Sequence, residues 1–188
     1  MPEITGVLLA AGASSRFGAN KPLHEIDGQP LIAYSAAAHV PCERRIAVVP
    51  ADGQALQACL QKLGIGWVSD PQPDRGMGHS IACAVKASAD SHGWCLLPAD
   101  MPYVTAATTQ PLVTALHAGA GRAAPFYQQQ RGHPVAFSAR FHEALASLDG
   151  DSGARAILQA QHYQLVVIHS DDAGVLHDVD TAGDLRTC

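Results

Sequence analysis

The sequence predicts an α/β domain on a mostly parallel sheet, and three observations carry that expectation. Apolar runs of strand length alternate with segments of helical spacing, giving β-α-β-α-β from Ile4 to Val68. After Leu116 the rhythm changes to two strands around a tight loop, a hairpin rather than a crossover. The chain has 188 residues, 47% apolar and 15% charged, which suits one globular domain with a sizeable core.

Composition narrows the function. A net charge of −5 argues against non-specific nucleic-acid binding, which needs a basic face. An acidic protein can still hold a triphosphate through a local cluster and a divalent metal. The five cysteines are scattered, no Cys-x-x-Cys occurs and no secretory signal is visible, so a reduced, cytoplasmic setting is expected. Zinc would need ligands gathered from distant places, and the ten histidines do not repeat at metal-ligand spacing. No apolar run approaches the roughly 18 residues of a membrane span.

In chain order, Ile4 to Ala10 has strand length and composition. It breaks at Gly12 into small residues, where a backbone without Cβ can approach a ligand closely. Such a turn at the carboxyl end of a first strand exposes N–H groups suited to phosphate oxygens. Arg16 then offers a planar fork and Lys21 a point charge, so the stretch asks for a polyphosphate. A P-loop is excluded, because Lys21 does not directly follow Gly18 and five residues separate Gly12 from Gly18. The dinucleotide fingerprint is absent too, since Ala13 and Ser14 follow Gly12. The simpler alternative is a Gly/Ser loop with two solvated cations.

Ile26 to Pro30 reads as a turn, and Leu31 to His39 as an Ala-rich helix started by Pro30. Arg45 to Val49 is a second strand. Gln54 to Leu63 is an amphipathic helix with Gly64 past its end, and Trp67-Val68 lies in a third strand. The loop from Asp70 to Ser80 enters a helix through Ile81, Ala82 and Val85. Trp94 to Asp100 is a buried strand that places a carboxylate at the sheet's carboxyl edge, where open α/β sheets bind ligands. Beside phosphates that carboxylate is repulsive unless a hard cation intervenes, which makes Mg²⁺ the natural reading. A turn or cap role is the simpler one.

A further helix runs from near Thr105 to Leu116. Arg122 to Gln128 and Val135 to Ser138 form the hairpin strands. Phe141 to Leu148 is helical, and a turn with Ser152 as N-cap leads into Ala156 to Ala160. Leu165 to Ile168 is a strand. Asp178 and Asp180 alternate along an extended run and so face one side.

The pattern Leu-Ala-Ala-Gly-x-Ser-x-Arg-x-Gly-x-x-Lys over residues 9–21 resembles the opening of nucleotidyltransferases with the glycosyltransferase-A type fold. Within them it is most similar to the molybdenum cofactor cytidylyltransferases and their guanylyltransferase relatives. Four further runs resemble that family in its order: Gly76-Met77 to Ser80, the strand ending Asp100-Met101-Pro102, Gly132-His133-Pro134, and Gly150-Asp151-Ser152-Gly153-Ala154-Arg155. The ending Asp178-Val179-Asp180-Thr181 also fits, with Ala182 where the family usually has Pro.

The resemblance implies a three-layer α/β/α sandwich of the nucleotide-diphospho-sugar transferase type, its mixed sheet mostly parallel with one antiparallel strand. It implies a single domain over 1–188, with a nucleotide-binding half over about 1–105 and an acceptor-side half over about 106–188. Leu9, Ala10, Ala11 and Gly12 would wrap the phosphates, with Arg16 and Lys21 as clamps and Gly78 and Ser80 beside the nucleobase. Mg²⁺ would lie on Asp100 and Asp180; Arg16, Lys21 and Asp100 would carry catalysis. The roles of His79 and Asp178 stay open, and Asp184 faces solvent or caps a helix. His133 either contacts an acceptor phosphate or packs beside Pro134, and Arg155 is either an acceptor ligand or a helix-surface charge.

The implied reaction is in-line attack by an acceptor phosphate on the α-phosphorus of a nucleoside triphosphate, with release of pyrophosphate. The protein would supply position and charge, not a covalent nucleophile. Ala11 follows the cytidylyl branch, where the guanylyl branch has Gly, so CTP is the implied donor. A molybdopterin-type cofactor is the implied acceptor, with a molybdoenzyme as recipient of the product. GTP as donor, a different phosphorylated acceptor, and a non-catalytic cofactor carrier or chaperone are the alternatives. A nicotinamide oxidoreductase lacks its glycine fingerprint here.

Overall fold

A computed structural model of the chain describes residues 3–12, 20–160 and 164–185. Arg16 lies outside the described residues. Strand β1 (Ile4–Leu9) is followed by a two-residue hairpin, β2 (Glu25–Ile26) and β3 (Gln29–Pro30), then α1 (Leu31–Ala37) and β4 (Arg44–Pro50). Next come α2 (Gln54–Lys62), β5 (Gly66–Asp70), α3 (Met77–Ala87) and β6 (Gly93–Pro98). The second part holds α4 (Ala106–His117), β7 (Arg122–Tyr127), β8 (Gln130–Arg131), β9 (Val135–Ser138), α5 (His142–Ala146), α6 (Arg155–Gln159) and β10 (Leu165–His169). Among the described residues, no helix is long and apolar enough to cross a membrane.

One sheet orders its strands β10-β7-β9-β6-β1-β4-β5, with β8 paired to β7. β1 lies parallel between β4 and β6, and β5 and β10 extend the sheet in parallel. β9 runs antiparallel to both β6 and β7. The expected mixed, mostly parallel sheet is therefore present. Its antiparallel member follows from the hairpin, because a chain that turns back tightly can pair only antiparallel. The turn itself is Gln128-Gln129, both with positive φ (45° and 67°), the twist that suits a two-residue hairpin loop.

Side-chain alternation along β1 feeds two helical layers. Val7 packs with Ile46, Val48, Trp94 and Leu96 beneath α3 and α5, through Ile81, Val85 and Leu145. Leu8 points the other way, to Ile32 and Ala36 of α1 and to Leu56 and Leu60 of α2. Leu112, Val113 and Leu116 of α4 cover Cys95, Ala123 and Ala136 on that second side. Strands buried on both faces read as continuous apolar runs, which explains why β1 and β6 stood out in the sequence.

Two local expectations are corrected. The helix from Phe141 ends at Ala146, short of Leu148. Ser152 is not the N-cap of α6: Ala154 holds that position. Gly153 turns the chain with φ 53° between Ser152 and the helix, and the Ser152 carbonyl accepts from the Arg155 N–H at 3.4 Å.

Candidate active site

The site begins with the ends of neighbouring parallel strands. Ala10 N–H donates to the Val48 carbonyl at 2.9 Å, and Ala99 N–H to the Leu9 carbonyl at 3.1 Å. The Ser35 hydroxyl donates to the Ala99 carbonyl at 2.8 Å. These bonds bring the start of the small-residue loop and the Asp100 loop to one edge. Ala10 and Ala11 are buried, whereas Gly12 is exposed and a Cβ on it would meet nothing within 4 Å among the described residues. The room beside Gly12 is thus open to a ligand.

Lys21 opens a 3₁₀ turn over Lys21–Leu23 that starts with Pro22 and packs on α1. Its ammonium lies 2.7 Å from Asp100 Oδ2 and 3.4 Å from Asp180 Oδ1. The Lys21 side chain is 13% exposed, that of Asp100 26% and that of Asp180 46%. Val179 N–H donates to the Asp100 carbonyl at 2.9 Å, which ties the Asp178–Thr181 run to this edge. Asp184 braces the same run, its Oδ2 accepting from the N–H groups of Asp180 and Thr181. Val179 is buried and Asp178 is exposed. Asp100 Oδ1 is buried and has no hydrogen-bond partner among the described residues.

A cleft of about 430 Å³ opens beside this cluster, lined by Leu9, Ala11, Gly12, Asp74, Met77, Ser80, Asp100 and Asp151, among others. A smaller hollow of about 90 Å³ continues it past Ala10 and Lys21. The structure therefore gathers Leu9, Ala10, Ala11, Gly12, Lys21, Ser80 and Asp100 in one place. Gly78 stands behind the wall instead. It is buried, donates its N–H to the Gly150 carbonyl at 2.7 Å, and a Cβ there would sit 2.8 Å from the carbonyls of Asp149 and Gly150. The Ser80 hydroxyl turns from the cleft to donate to Asp70 Oδ2 at 2.7 Å. His79 also faces Asp70, with Nδ1 2.9 Å from Oδ1.

A second cleft, about 400 Å³, lies across a shared wall of Leu9, Met77 and Asp151. It brings Arg131, His133 and Arg155 together over the apolar surfaces of Ile81, Leu96, Val135 and Leu158. Burial and the nearby Arg155 charge lower the Arg131 pKa. Burial and the Arg131 charge lower that of His133, against a backbone hydrogen bond with Leu96 and the opposing pull of Asp100 and Asp178, and the net lowering favours the neutral imidazole. Its Nδ1 is buried and lacks a hydrogen-bond partner among the described residues. Sequence reasoning missed Arg131 and Asp151. A signal for Arg131 was present: Arg131, His133 and Val135 alternate along an extended run and share a face.

The wall between the clefts is clasped by an exposed double hydrogen bond from Arg75 to Asp149, with Nε to Oδ1 at 3.0 Å and Nη2 to Oδ2. It holds the loop before α3 against the loop before α6. Arg122 is structural: although charged it is 1% exposed, and its guanidinium donates to the carbonyls of Ile157, Leu158 and Ala160 at the end of α6.

The chain is similar to several known proteins. It is 29% identical to nicotine blue oxidoreductase of Paenarthrobacter nicotinovorans, over 96% of this chain and 94% of that protein. It is 28% identical to a "Probable molybdenum cofactor guanylyltransferase" of Deinococcus radiodurans, over 98% and 93%. The crystal structure of Rv0371c from Mycobacterium tuberculosis H37Rv is 25% identical and superposes with a TM-score of 0.81, over 97% of this chain and 95% of that one. Rv0371c has also been crystallised in complex with manganese. The names of these relatives differ, and they do not specify a cytidylyltransferase. Residues 6–166, from within β1 to within β10, match one family along their whole length, and the chain belongs to the MobA-like NTP transferase domain family.

Proposed function

We propose that the protein is a Mg²⁺-dependent nucleotidyltransferase that moves CMP from CTP to the phosphate of a molybdopterin-type cofactor in the cytoplasm and releases pyrophosphate. The observation that carries this reading is the Asp100–Lys21–Asp180 cluster at the carboxyl edge of the sheet, beside two clefts with opposite charge.

The donor set fits a hard divalent cation. Two carboxylates converge on one ammonium, and one buried oxygen, Asp100 Oδ1, is left without a partner among the described residues. Asp100 and Asp180 would hold the ion, and the manganese complex of Rv0371c is in keeping with a metal in this fold. When bound, Mg²⁺ neutralises charge on phosphoryl oxygens.

The chain's own groups do the rest. The backbone from Ala10 to Gly12 lies where a phosphate chain would enter, at the carboxyl end of β1. The Lys21 ammonium stabilises charge that develops towards leaving pyrophosphate. Arg16 joins it as the second clamp in this reading. Arg131 and Arg155 hold the acceptor phosphate, neutral His133 hydrogen-bonds beside them, and the apolar walls take the body of the acceptor. In-line transfer needs no covalent nucleophile, only this placement. Base recognition falls to the Gly76–Ser80 wall, where Met77 is 43% exposed and the Ser80 hydroxyl is already bonded to Asp70.

The test is pyrophosphate release by the purified protein with Mg²⁺ and molybdenum cofactor, comparing CTP, GTP, ATP and UTP. Release with CTP is expected. The Deinococcus relative favours a second reading, in which GTP is the donor and the mechanism is unchanged. Release with GTP alone would establish it. No release with any nucleotide, while cofactor binds tightly, would replace transfer by a carrier role that delivers cofactor to a molybdoenzyme. Release only with another phosphorylated acceptor would keep the donor half and overturn the acceptor.

A further inference from the structure

Behind the nucleotide-side wall, the fold gathers three metal-ligating side chains that neither cleft uses. Asp70 ends β5 and is fully buried. His79 and Cys83 stand four residues apart on α3, hence on one helix face, and both are half-buried. His79 Nδ1 lies 2.9 Å from Asp70 Oδ1 and 3.9 Å from Cys83 Sγ. One ligand atom from each residue falls within 4.8 Å of the other two.

These separations are close to those of a metal's coordination shell. Around tetrahedral zinc, with bonds of about 2.0–2.1 Å to nitrogen or oxygen and about 2.3 Å to sulfur, ligand atoms stand roughly 3.3–3.6 Å apart. The carboxylate is also oriented from behind. Gln72 N–H donates to Oδ1 at 2.9 Å and the Ser80 hydroxyl to Oδ2 at 2.7 Å, the kind of outer hydrogen bond that aims a ligating side chain. A loop-capping role would account for Asp70 but would leave Cys83 beside the imidazole without a purpose.

We propose that Asp70, His79 and Cys83 form a zinc site with three protein ligands and an open fourth position. An oxygen, nitrogen and sulfur set selects zinc over magnesium or manganese, so this site is chemically distinct from the Asp100–Asp180 pair. Zinc replaces the hydrogen bond between Asp70 Oδ1 and His79, whose neutral imidazole then carries its one proton on Nε2 with Nδ1 on the metal, and displaces the Cys83 thiol proton to solvent. Burial and the Asp70 charge hold that proton on, Lys86 and Arg75 oppose them, and a bound dication reverses the balance. The bound ion ties the end of β5 to the first turns of α3, whose Met77 and Ser80 line the nucleotide-side cleft. The site does not depend on the identity of the donor or acceptor.

The experiment uses the full chain, stripped of metal by a chelator and titrated with Co²⁺ and then Zn²⁺. One equivalent of Co²⁺ should give a thiolate-to-cobalt charge-transfer band and the visible bands of a four-coordinate ion, and Zn²⁺ should abolish both. Cys83→Ser should lose the charge-transfer band, whereas Asp100→Asn should keep it. A readout on the unaltered chain stands beside these variants: Zn²⁺ should slow alkylation of Cys83, mapped by mass spectrometry, by about tenfold or more, because a metal-bound thiolate is a poor nucleophile. The half-buried Cys59 serves as the internal reference. A band that survives in Cys83→Ser, absence of the band in folded protein, or Cys83 alkylation unaffected by Zn²⁺ would each overturn the proposal.

Discussion

The two clefts share a wall and differ in charge. Among the described residues, the first cleft carries Asp74 and Asp100 with the Lys21 ammonium beside them, the second places Arg131 and Arg155 over an apolar floor, and Asp151 lines both. An anion entering the second is met directly by guanidinium groups. A phosphate chain entering the first meets carboxylates, and like charges at such range are tolerable only with a cation between them. In the proposed reading, a metal joins Lys21 on the first side of the wall, whereas Arg131 and Arg155 act without one on the other.

The largest expected effect comes from breaking the acidic side. Asp100→Asn should lower turnover by about 10³-fold, the scale of removing preorganised charge stabilisation, while the acceptor KM changes little. Unchanged turnover in the folded variant would remove the metal assignment. Lys21→Ala should cost about 10²-fold in turnover. An effect confined to nucleotide KM would make Lys21 a binding group only.

On the basic side, Arg131→Ala and Arg155→Ala should each raise the acceptor KM by about tenfold, the worth of one charge-assisted hydrogen bond, with nucleotide KM unchanged. If nucleotide KM rose instead, the two clefts would have to exchange roles.

A last expected effect is on stability rather than activity, and it keeps loss of charge distinct from loss of fold. Burial, with a lesser contribution from Arg45, lowers the His39 pKa from 6.5 to about 3. Below pH 6.5 the unfolded chain binds a proton that the folded protein refuses. Stability should therefore fall by up to about 1.4 kcal/mol per pH unit as pH drops from 6.5 towards 3. Equilibrium denaturation of His39→Leu over that range should show a flatter dependence. An equal slope in the variant would assign acid sensitivity to other groups.

The fold was legible because its signals are local. Val7, Leu8 and their neighbours form one apolar run, Leu56 and Leu60 share a helix face, and a tight loop was expected at Gln129 to Gly132, where the structure turns at Gln128-Gln129 and continues Gln130–Arg131 as β8. Asp100 was legible as a strand-end carboxylate for the same reason. Less of the candidate site could be read. Gly78 and Ser80 belong to a motif beside the nucleobase by resemblance, yet the backbone of the Asp149–Gly150 loop presses on Gly78, and Asp70 takes the Ser80 hydroxyl. Neither partner is close to them in sequence. Ser152 failed as a cap because one left-handed glycine, Gly153, separates it from α6.

By itself the sequence determined the alternation of strands and helices and the hairpin that makes β9 antiparallel. Each is settled within one element, by periodicity or by turn chemistry. Only the tertiary structure decided that Lys21 lies between Asp100 and Asp180, that Arg131 and Arg155 share a cleft, and that Asp70 meets His79 and Cys83. Those meetings depend on which strand ends are neighbours. Strand order is set by the burial of whole faces across the sheet, and no window of sequence contains it.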